Sequence, residues 1–494
     1  MVEVPLVPAP LHAERREGRG FMLRQGVRIQ VSREPTAVAT AVLLAGQVGR
    51  EIAGPVAIVH DDNPSPGAIA LRLTTDPAEL AVPDALAPAL AAEAYRLEVD
   101  ERRVTITALD PTGLVRGVQT LNQLTARSAD HGGVVIDPVL VVDHPRFAWR
   151  GLMLDLARHF FDVGAIKSVI TVMASLKLNV LHLHLTDDQG WRLFLPSRPE
   201  LTAVAGGTAV GKDPGGFLGP DEYADVIAFA AAHAVTVIPE VDLPGHVGAA
   251  LSTYGNLSPD GRRMPVYTGV EVGFSRLHAD LPATAPFIQD VVTDIAGMTR
   301  GPYLHIGGDE VLTMDKGEYA ELVSWAVRAA RAAGKTVVGW QEVASVPLPS
   351  GSLVQYWDDR EDPAEVVAAA ERGARVVLSP ASKVYLDMRY DDATPVGADW
   401  AGHIGLRDAY CWEPGELIGV RESQIAGIEA ALWTETVRTS RELFLLLLPR
   451  LAAVSEVAWS TEDRRGWDGF VVRLRRLTTR WDADGLPWYR PALT

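Results

Sequence analysis

Eight short apolar runs recur from residue 151 onward, each separated from the next by a longer segment. They occupy residues 151–156, 178–185, 235–241, 303–306, 336–339, 353–356, 376–378 and 427–432. Runs this short and this continuously apolar suit strands buried on both faces, the condition inside a parallel sheet. The intervening segments read as amphipathic helices. Ile166, Val169, Ile170, Met173 and Leu176 keep helical spacing, and 221–232, 285–298, 318–333 and 364–373 fill later gaps. Strand alternating with helix predicts a parallel sheet, and eight such units predict a closed (β/α)8 TIM barrel. The alternative, an open doubly wound sheet, calls for a glycine-rich phosphate loop after its first strand, and none follows the first run.

Residues 1–145 read differently. Strands are predicted at 27–31 and 68–73, a hairpin at 95–99 and 104–107 around the charged turn 100–103, and helices at 37–52 and 113–124. No cluster of acids, bases or nucleophiles stands out. This stretch is expected to be a small non-catalytic α/β domain, antiparallel strands plus helices, ending at Asp143-His144-Pro145-Arg146, where proline stiffens the chain. The barrel is expected over 146–494. At 494 residues the chain exceeds one ordinary core, which fits two domains.

The charge balance, 46 basic against 63 acidic residues, argues against nucleic acid or an anionic membrane as partner. No apolar run approaches the ~20 residues that span a bilayer. Cys411 is the single cysteine, so no intramolecular disulfide forms. Met1-Val2-Glu3-Val4-Pro5 lacks a basic segment followed by an apolar core. A cytoplasmic protein is expected as the sequence stands, or a secreted one if a leader was removed; a monomer or homodimer is expected.

In such barrels chemistry sits at the C-terminal ends of the strands. Here every run ends in polar or aromatic residues. The first leads to Asp155 and Arg158, the second to Thr186-Asp187-Asp188, and the third to Glu240-Val241-Asp242 and then His246. The fourth, Tyr303-Leu304-His305-Ile306, ends in Gly307-Gly308-Asp309-Glu310. The remaining four lead to Trp340-Gln341-Glu342, Trp357-Asp358-Asp359, Tyr385 with Asp387, and Trp433-Thr434-Glu435. Singly, each could be a helix cap, an acidic turn or a core tryptophan. Jointly they place carboxylates, an arginine and flat apolar rings on one rim, which suits a sugar with polar edges and C–H faces. Two adjacent carboxylates cannot both be cheaply buried and ionised, so one tends to keep a proton, as a general acid requires.

The segments Arg150 to Asp155 with Arg158-His159-Phe160, His182-Leu183-His184-Leu185-Thr186-Asp187-Asp188-Gln189, Pro239-Glu240-Val241-Asp242 with Pro244-Gly245-His246, His305 to Glu310, Gly339-Trp340-Gln341-Glu342 and Trp433-Thr434-Glu435, taken in order, resemble the β-N-acetylhexosaminidases of glycoside hydrolase family 20. Gly113 to Leu121 resembles the non-catalytic domain that often precedes that barrel. The resemblance implies exo-acting, retaining, substrate-assisted hydrolysis without a cofactor or metal, acting on small carbohydrates such as chitooligosaccharides. It implies Glu310 as acid and then base, Asp309 on the acetamido N–H, and Tyr385 on the acetamido oxygen. Asp187 and His246 would form a relay tuning Glu310. Trp340, Trp357 and Trp433 would wall the acetamido methyl, Arg158, Asp387 and Glu435 would bind ring hydroxyls, and Trp400 would line the aglycone side.

Two other readings compete. His182 and His184 lie two apart on a strand and so share a face; with Asp187, Asp188 and His246 they make a candidate metal set for a barrel hydrolase. A sugar-binding protein without turnover is the second, and the Asp309-Glu310 pair argues against it.

Overall fold

The computed structural model describes residues 4–61, 65–83, 86–127 and 134–493. Met1 to Glu3, the start of the stretch read for a leader, lie outside them. The eight runs form eight parallel strands: Trp149–Asp155, Val180–His184, Thr236–Glu240, Tyr303–His305, Thr336–Trp340, Leu353–Tyr356, Arg375–Leu378 and Ile425–Leu432. Each pairs with the next, and the eighth returns to the first, with Leu154 opposite Leu432, so the sheet is a closed barrel. The first and eighth strands are buried along their whole length, one face inward and one toward the helices.

The barrel interior changes character along its axis. Trp149, Val180, Ile238, Val338, Leu353 and Val377 form an apolar layer. Toward the strand ends the filling turns polar, with His182, His184, Glu240, His305, Gln355 and Glu429 all buried. Register brings three of these side by side: His184 is opposite Glu240, and Glu240 opposite His305.

Helices Val163–Ser175, Pro220–Ala232, Thr284–Met298, Lys316–Ala332 and Ala364–Glu371 fill the predicted gaps. Asp162 and Asp315 cap two of them through side-chain oxygens on free backbone N–H groups. The link from fifth to sixth strand has only a 3-10 turn, Gln341–Ser345. Pro347 and Pro349 follow it, and proline neither donates to a helix nor fits its interior. Among the described residues, no helix is long and apolar enough to cross a membrane.

The front domain is a seven-stranded sheet with helices. Strands His12–Arg15, Val139–Asp143, Tyr95–Val99 and Val104–Ala108 are antiparallel; Ala68–Leu73, Arg28–Val31 and Ala57–His60 continue the sheet in parallel. Helix Pro111–Leu124 is buried at every position from Gly113 to Leu121. A helix buried all round has neighbours on all sides, and this one touches the sheet and the barrel helix Val163–Ser175.

Two buried carboxylates of the front domain each hold a cation of the barrel, and Glu93 also holds Arg116 of its own domain. Glu93 accepts from Arg150 Nη1 at 3.0 Å and from Arg116 Nε at 2.7 Å. Asp143 accepts from Lys177 Nζ at 2.7 Å. Burial alone would raise the Glu93 carboxyl, but Arg150 and Arg116 hold it below its ordinary value of 4.5. Its contribution is therefore present above that value and lost as the pH falls through the lower folded one. Glu93→Ala strands two buried guanidinium groups, and the expected cost is about 3–5 kcal/mol. Urea unfolding at neutral pH measures it; a loss below about 1 kcal/mol would mean that Arg116 and Arg150 find other partners.

Candidate active site

A cleft of about 420 Å³ opens at the C-terminal ends of the strands. Ten of the twelve predicted site residues line it: Arg158, Asp309, Glu310, Trp340, Trp357, Tyr385, Asp387, Trp400, Trp433 and Glu435. The other two are buried beside it, His246 against Glu310 and Asp187 against Arg158. A larger cavity of about 630 Å³ lies where the front domain meets the helix Trp467–Ala483, with charges of both signs (Arg15, Asp137, Arg480, Asp484) and no aromatic side chain among its described lining. The smaller cleft holds the convergent polar groups.

The acid pair sits on a sharp turn after the fourth strand. Gly307 has φ +68°, and a Cβ there would meet Asp242 Oδ1 at 1.8 Å; Gly308 has φ +104°, with Val343 Cγ1 at 2.5 Å. Only glycine fits either position. The chain then places Glu310 itself at φ +52°, and His246, its ion-pair partner, also at φ +52°. Left-handed conformations cost a residue with a Cβ free energy and concentrate where geometry matters more than comfort.

His246 bridges outward. Its Nδ1 lies 3.2 Å from Asp187 Oδ1, and its Nε2 lies 3.4 Å from Glu310 Oε2 and 3.7 Å from Asp309 Oδ2. Burial opposes the charge on His246, but Asp187 outweighs it and holds the imidazolium well above the ordinary histidine range. Asp309 is pushed up to about 6, by burial first and by Glu310 beside it, with His246 opposing. Buried Asp242 is pushed well above its ordinary value, by burial first and then by the charge of neighbouring Asp309.

Arg158 Nη2 is 2.8 Å from Asp187 Oδ2, and its guanidinium lies 4.8 Å from the Trp433 ring centroid. Its Nε and Nη1 are buried with no hydrogen-bond partner among the described residues, as are Asp387 Oδ1 and Asp309 Oδ1. Buried donors and acceptors without hydrogen bonds, on residues that line one cleft, suit a ligand carrying both, as a polyol does. Burial and neighbouring Glu435 push Asp387 well above its ordinary range.

The aromatic residues form a continuous wall. Trp340 and Trp433 have ring centroids 5.8 Å apart, Trp433 and Tyr385 6.4 Å, and Tyr385 and Trp357 6.2 Å, nearly parallel. Trp340 is fully buried yet lines the cleft, so core and ligand surface coincide in one side chain. Trp400 closes the outer edge, 45% exposed and edge-on to Tyr385.

Residues 147–462 match the model of glycosyl hydrolase family 20, catalytic domain, and residues 3–144 match family 20, domain 2. The chain belongs to glycosyl hydrolase family 20. A beta-N-acetylhexosaminidase of Cellulomonas fimi is 51% identical to it over 99% of this chain and 96% of its own length. The GH20 beta-N-acetylhexosaminidase structure from Streptomyces coelicolor A3(2) superposes with a TM-score of 0.91 at 38% identity, covering 98% of this chain and 97% of that one. A mutant Streptomyces plicatus beta-hexosaminidase, solved in complex with product (GlcNAc), gives 0.92 at 38% identity over 98% and 96%.

In this family 20 hydrolase three of the five residues of the candidate metal set, Asp187, Asp188 and His246, lie close together, whereas His182 and His184 fall in other clusters. His184 clusters with Glu240 and Asp242, His182 with Glu240 and His305, and His246 with Asp187 and Asp188. His182 Nδ1 faces Glu429 at 2.8 Å, and His184 is held between Glu240 and Asp187. Both histidines pack inside the barrel.

Several lining residues escaped the sequence reading. Val270 and Val272 come from a loop without regular structure after the third strand, and Arg360 stacks on Trp400. Glu342 accepts from Trp357 Nε1 at 3.3 Å and is pushed up to about 8 by burial and by Asp309. Glu342 was visible as part of the fifth strand's ending, but nothing in that tripeptide tells which of its side chains turns toward the acid pair.

Proposed function

We propose that the cleft cleaves terminal non-reducing β-linked N-acetylglucosamine or N-acetylgalactosamine from small carbohydrates, with the sugar's own 2-acetamido oxygen as nucleophile. One observation carries this reading. The Trp340–Trp433–Tyr385–Trp357 wall encloses an apolar space with a phenol and the Asp309 carboxylate at its margin, beside Glu310. That arrangement matches an acetamido group: methyl against rings, carbonyl toward the Tyr385 hydroxyl, N–H toward Asp309.

In the first step the acetamido oxygen bonds to the anomeric carbon as the glycosidic bond breaks. Glu310 gives its proton to the departing oxygen. The His246 imidazolium stabilises the carboxylate that Glu310 becomes. Asp309 holds the N–H and offsets the positive charge on the bicyclic oxazolinium. In the second step Glu310 takes a proton from water, which attacks the anomeric carbon and reopens the ring. Two inversions give retention. Arg158, Asp387 and Glu435 hold the ring hydroxyls, and Trp400 faces the leaving group.

A panel of aryl glycosides with and without the 2-acetamido group tests the reading. Turnover only of the acetamido compounds is expected; equal turnover of the 2-hydroxy compounds would contradict it.

Asp309 must be ionised to hold the N–H and balance the charge. Its folded pKa of about 6 sets the ascending limb of kcat/KM near pH 6, with activity falling below it as the carboxylate is protonated. A pH–rate profile checks this, and a limb at the ordinary aspartate position near 4 would contradict it.

A further inference from the structure

Beneath the cleft, Glu240 ends the third strand and is wholly buried. Its Oε1 accepts from Trp340 Nε1 at 2.7 Å. Its Oε2 lies 2.5 Å from His184 Nδ1 and 3.0 Å from His182 Nε2. His184 Nε2 lies 2.8 Å from Asp187 Oδ2. Asp187 in turn meets His246, and His246 meets Glu310. One carboxylate therefore touches two limbs. One ends on the ring that closes the acetamido space, and the other ends on the proton donor.

The charge state follows from the contacts. His184 presents each ring nitrogen to a carboxylate oxygen, and a carboxylate only accepts, so both nitrogens carry protons and the ring is an imidazolium. Burial opposes that charge, but Glu240 outweighs it and holds His184 well above its ordinary range. Glu240 is held well below its own, against burial, by His184 and its neighbouring histidines. A chain of buried ions is no more stabilising than a hydrocarbon filling of the same volume. Packing alone does not account for it at this level of the barrel.

We propose that Glu240 is a positioning residue. It sets the Trp340 wall by one hydrogen bond and, through His184 and Asp187, holds His246 against Glu310, so that selection of the acyl group and delivery of the proton share one anchor. This rests on the acetamido-assisted reading above.

Two ratios of kcat/KM separate the limbs. The first compares a phenyl glycoside, which needs the proton, with a 2,4-dinitrophenyl glycoside, which does not. The second compares N-acetyl with N-propionyl aryl substrates, which differ by one methylene at the wall. In Glu240→Gln the amide cannot serve both limbs in their native charge state. The phenyl rate is expected to fall about tenfold further than the dinitrophenyl rate. The N-acetyl preference is expected to shrink about fivefold. Trp340→Phe, which keeps a ring and deletes the N–H, should move only the second ratio. His184→Gln should move the first ratio more than the second, because His184 also packs edge-on against Trp433 of the wall, ring centroids 5.0 Å apart. A merely structural role lowers the active fraction, divides every rate by one factor and leaves both ratios at their wild-type values. That result in Glu240→Gln, or in both single-limb variants should Glu240→Gln not fold, would overturn the proposal. Wild-type rates without the acetamido group judge the function reading separately, because they involve none of these variants.

Discussion

Glu310→Gln lowers kcat/KM for a phenyl N-acetylglucosaminide by about 10³–10⁴, the scale of a lost general acid. The same change costs far less with a dinitrophenyl leaving group, which departs without a proton. The substitution keeps the shape of the side chain. Glu310 already sits on a left-handed turn fixed by Gly307 and Gly308, so the backbone has no reason to move. Its partner His246 is held from the other side by Asp187, so the relay stays in place without its last member. Thermal unfolding of the variant should match the wild type. Near-full activity on the phenyl substrate would remove Glu310 from its assigned role.

Asp309→Asn is the second large effect, and it has two faces. Turnover falls by about 10²–10³, because a neutral amide cannot offset the charge on the oxazolinium. Stability moves the other way. Asp309 has a folded pKa of about 6 against an ordinary 3.8, so the folded state binds its proton more tightly than the unfolded chain does. Above pH 6 the native protein carries an ionised group that it would rather keep neutral, and below the ordinary value the group is protonated in both states. Replacing it with Asn should therefore raise stability by an amount on the order of 1–3 kcal/mol at neutral pH. The gain should fade as the pH drops from about 6 toward 4. Urea unfolding at two pH values measures this. A variant equally stabilised at pH 4 and pH 7 would mean that packing, not charge, is responsible. A site that is costly in the fold and necessary in the reaction is the expected trade between stability and activity.

The barrel was legible because its strands are buried on both faces, and continuous apolar runs such as 178–185 and 427–432 signal that condition directly. The rim was legible because polar residues closed every run. Other features were not. Strand His12–Arg15 is mostly exposed and apolar at few positions, so period-two reading has nothing to grip. Val270 and Val272 sit in an irregular loop, where two valines look like any others until the fold carries them to the mouth of the cleft. Glu240 was visible only as part of a motif. Its partners come from the second, fourth and fifth strands, and only barrel register brings His184, His305 and Trp340 onto one carboxylate. The pairing of Asp187 with His246 spans 59 residues and came from family resemblance, not from spacing.

The claim on which the mechanism depends is that the acetamido oxygen is the nucleophile. A series of aryl glycosides with N-acetyl, N-fluoroacetyl, N-difluoroacetyl and N-trifluoroacetyl groups measures it most directly, since each fluorine weakens that oxygen while changing the shape little. A steep, monotonic fall in kcat/KM along the series is the expected result. A flat series would mean that some other group attacks the anomeric carbon, and the account would be wrong.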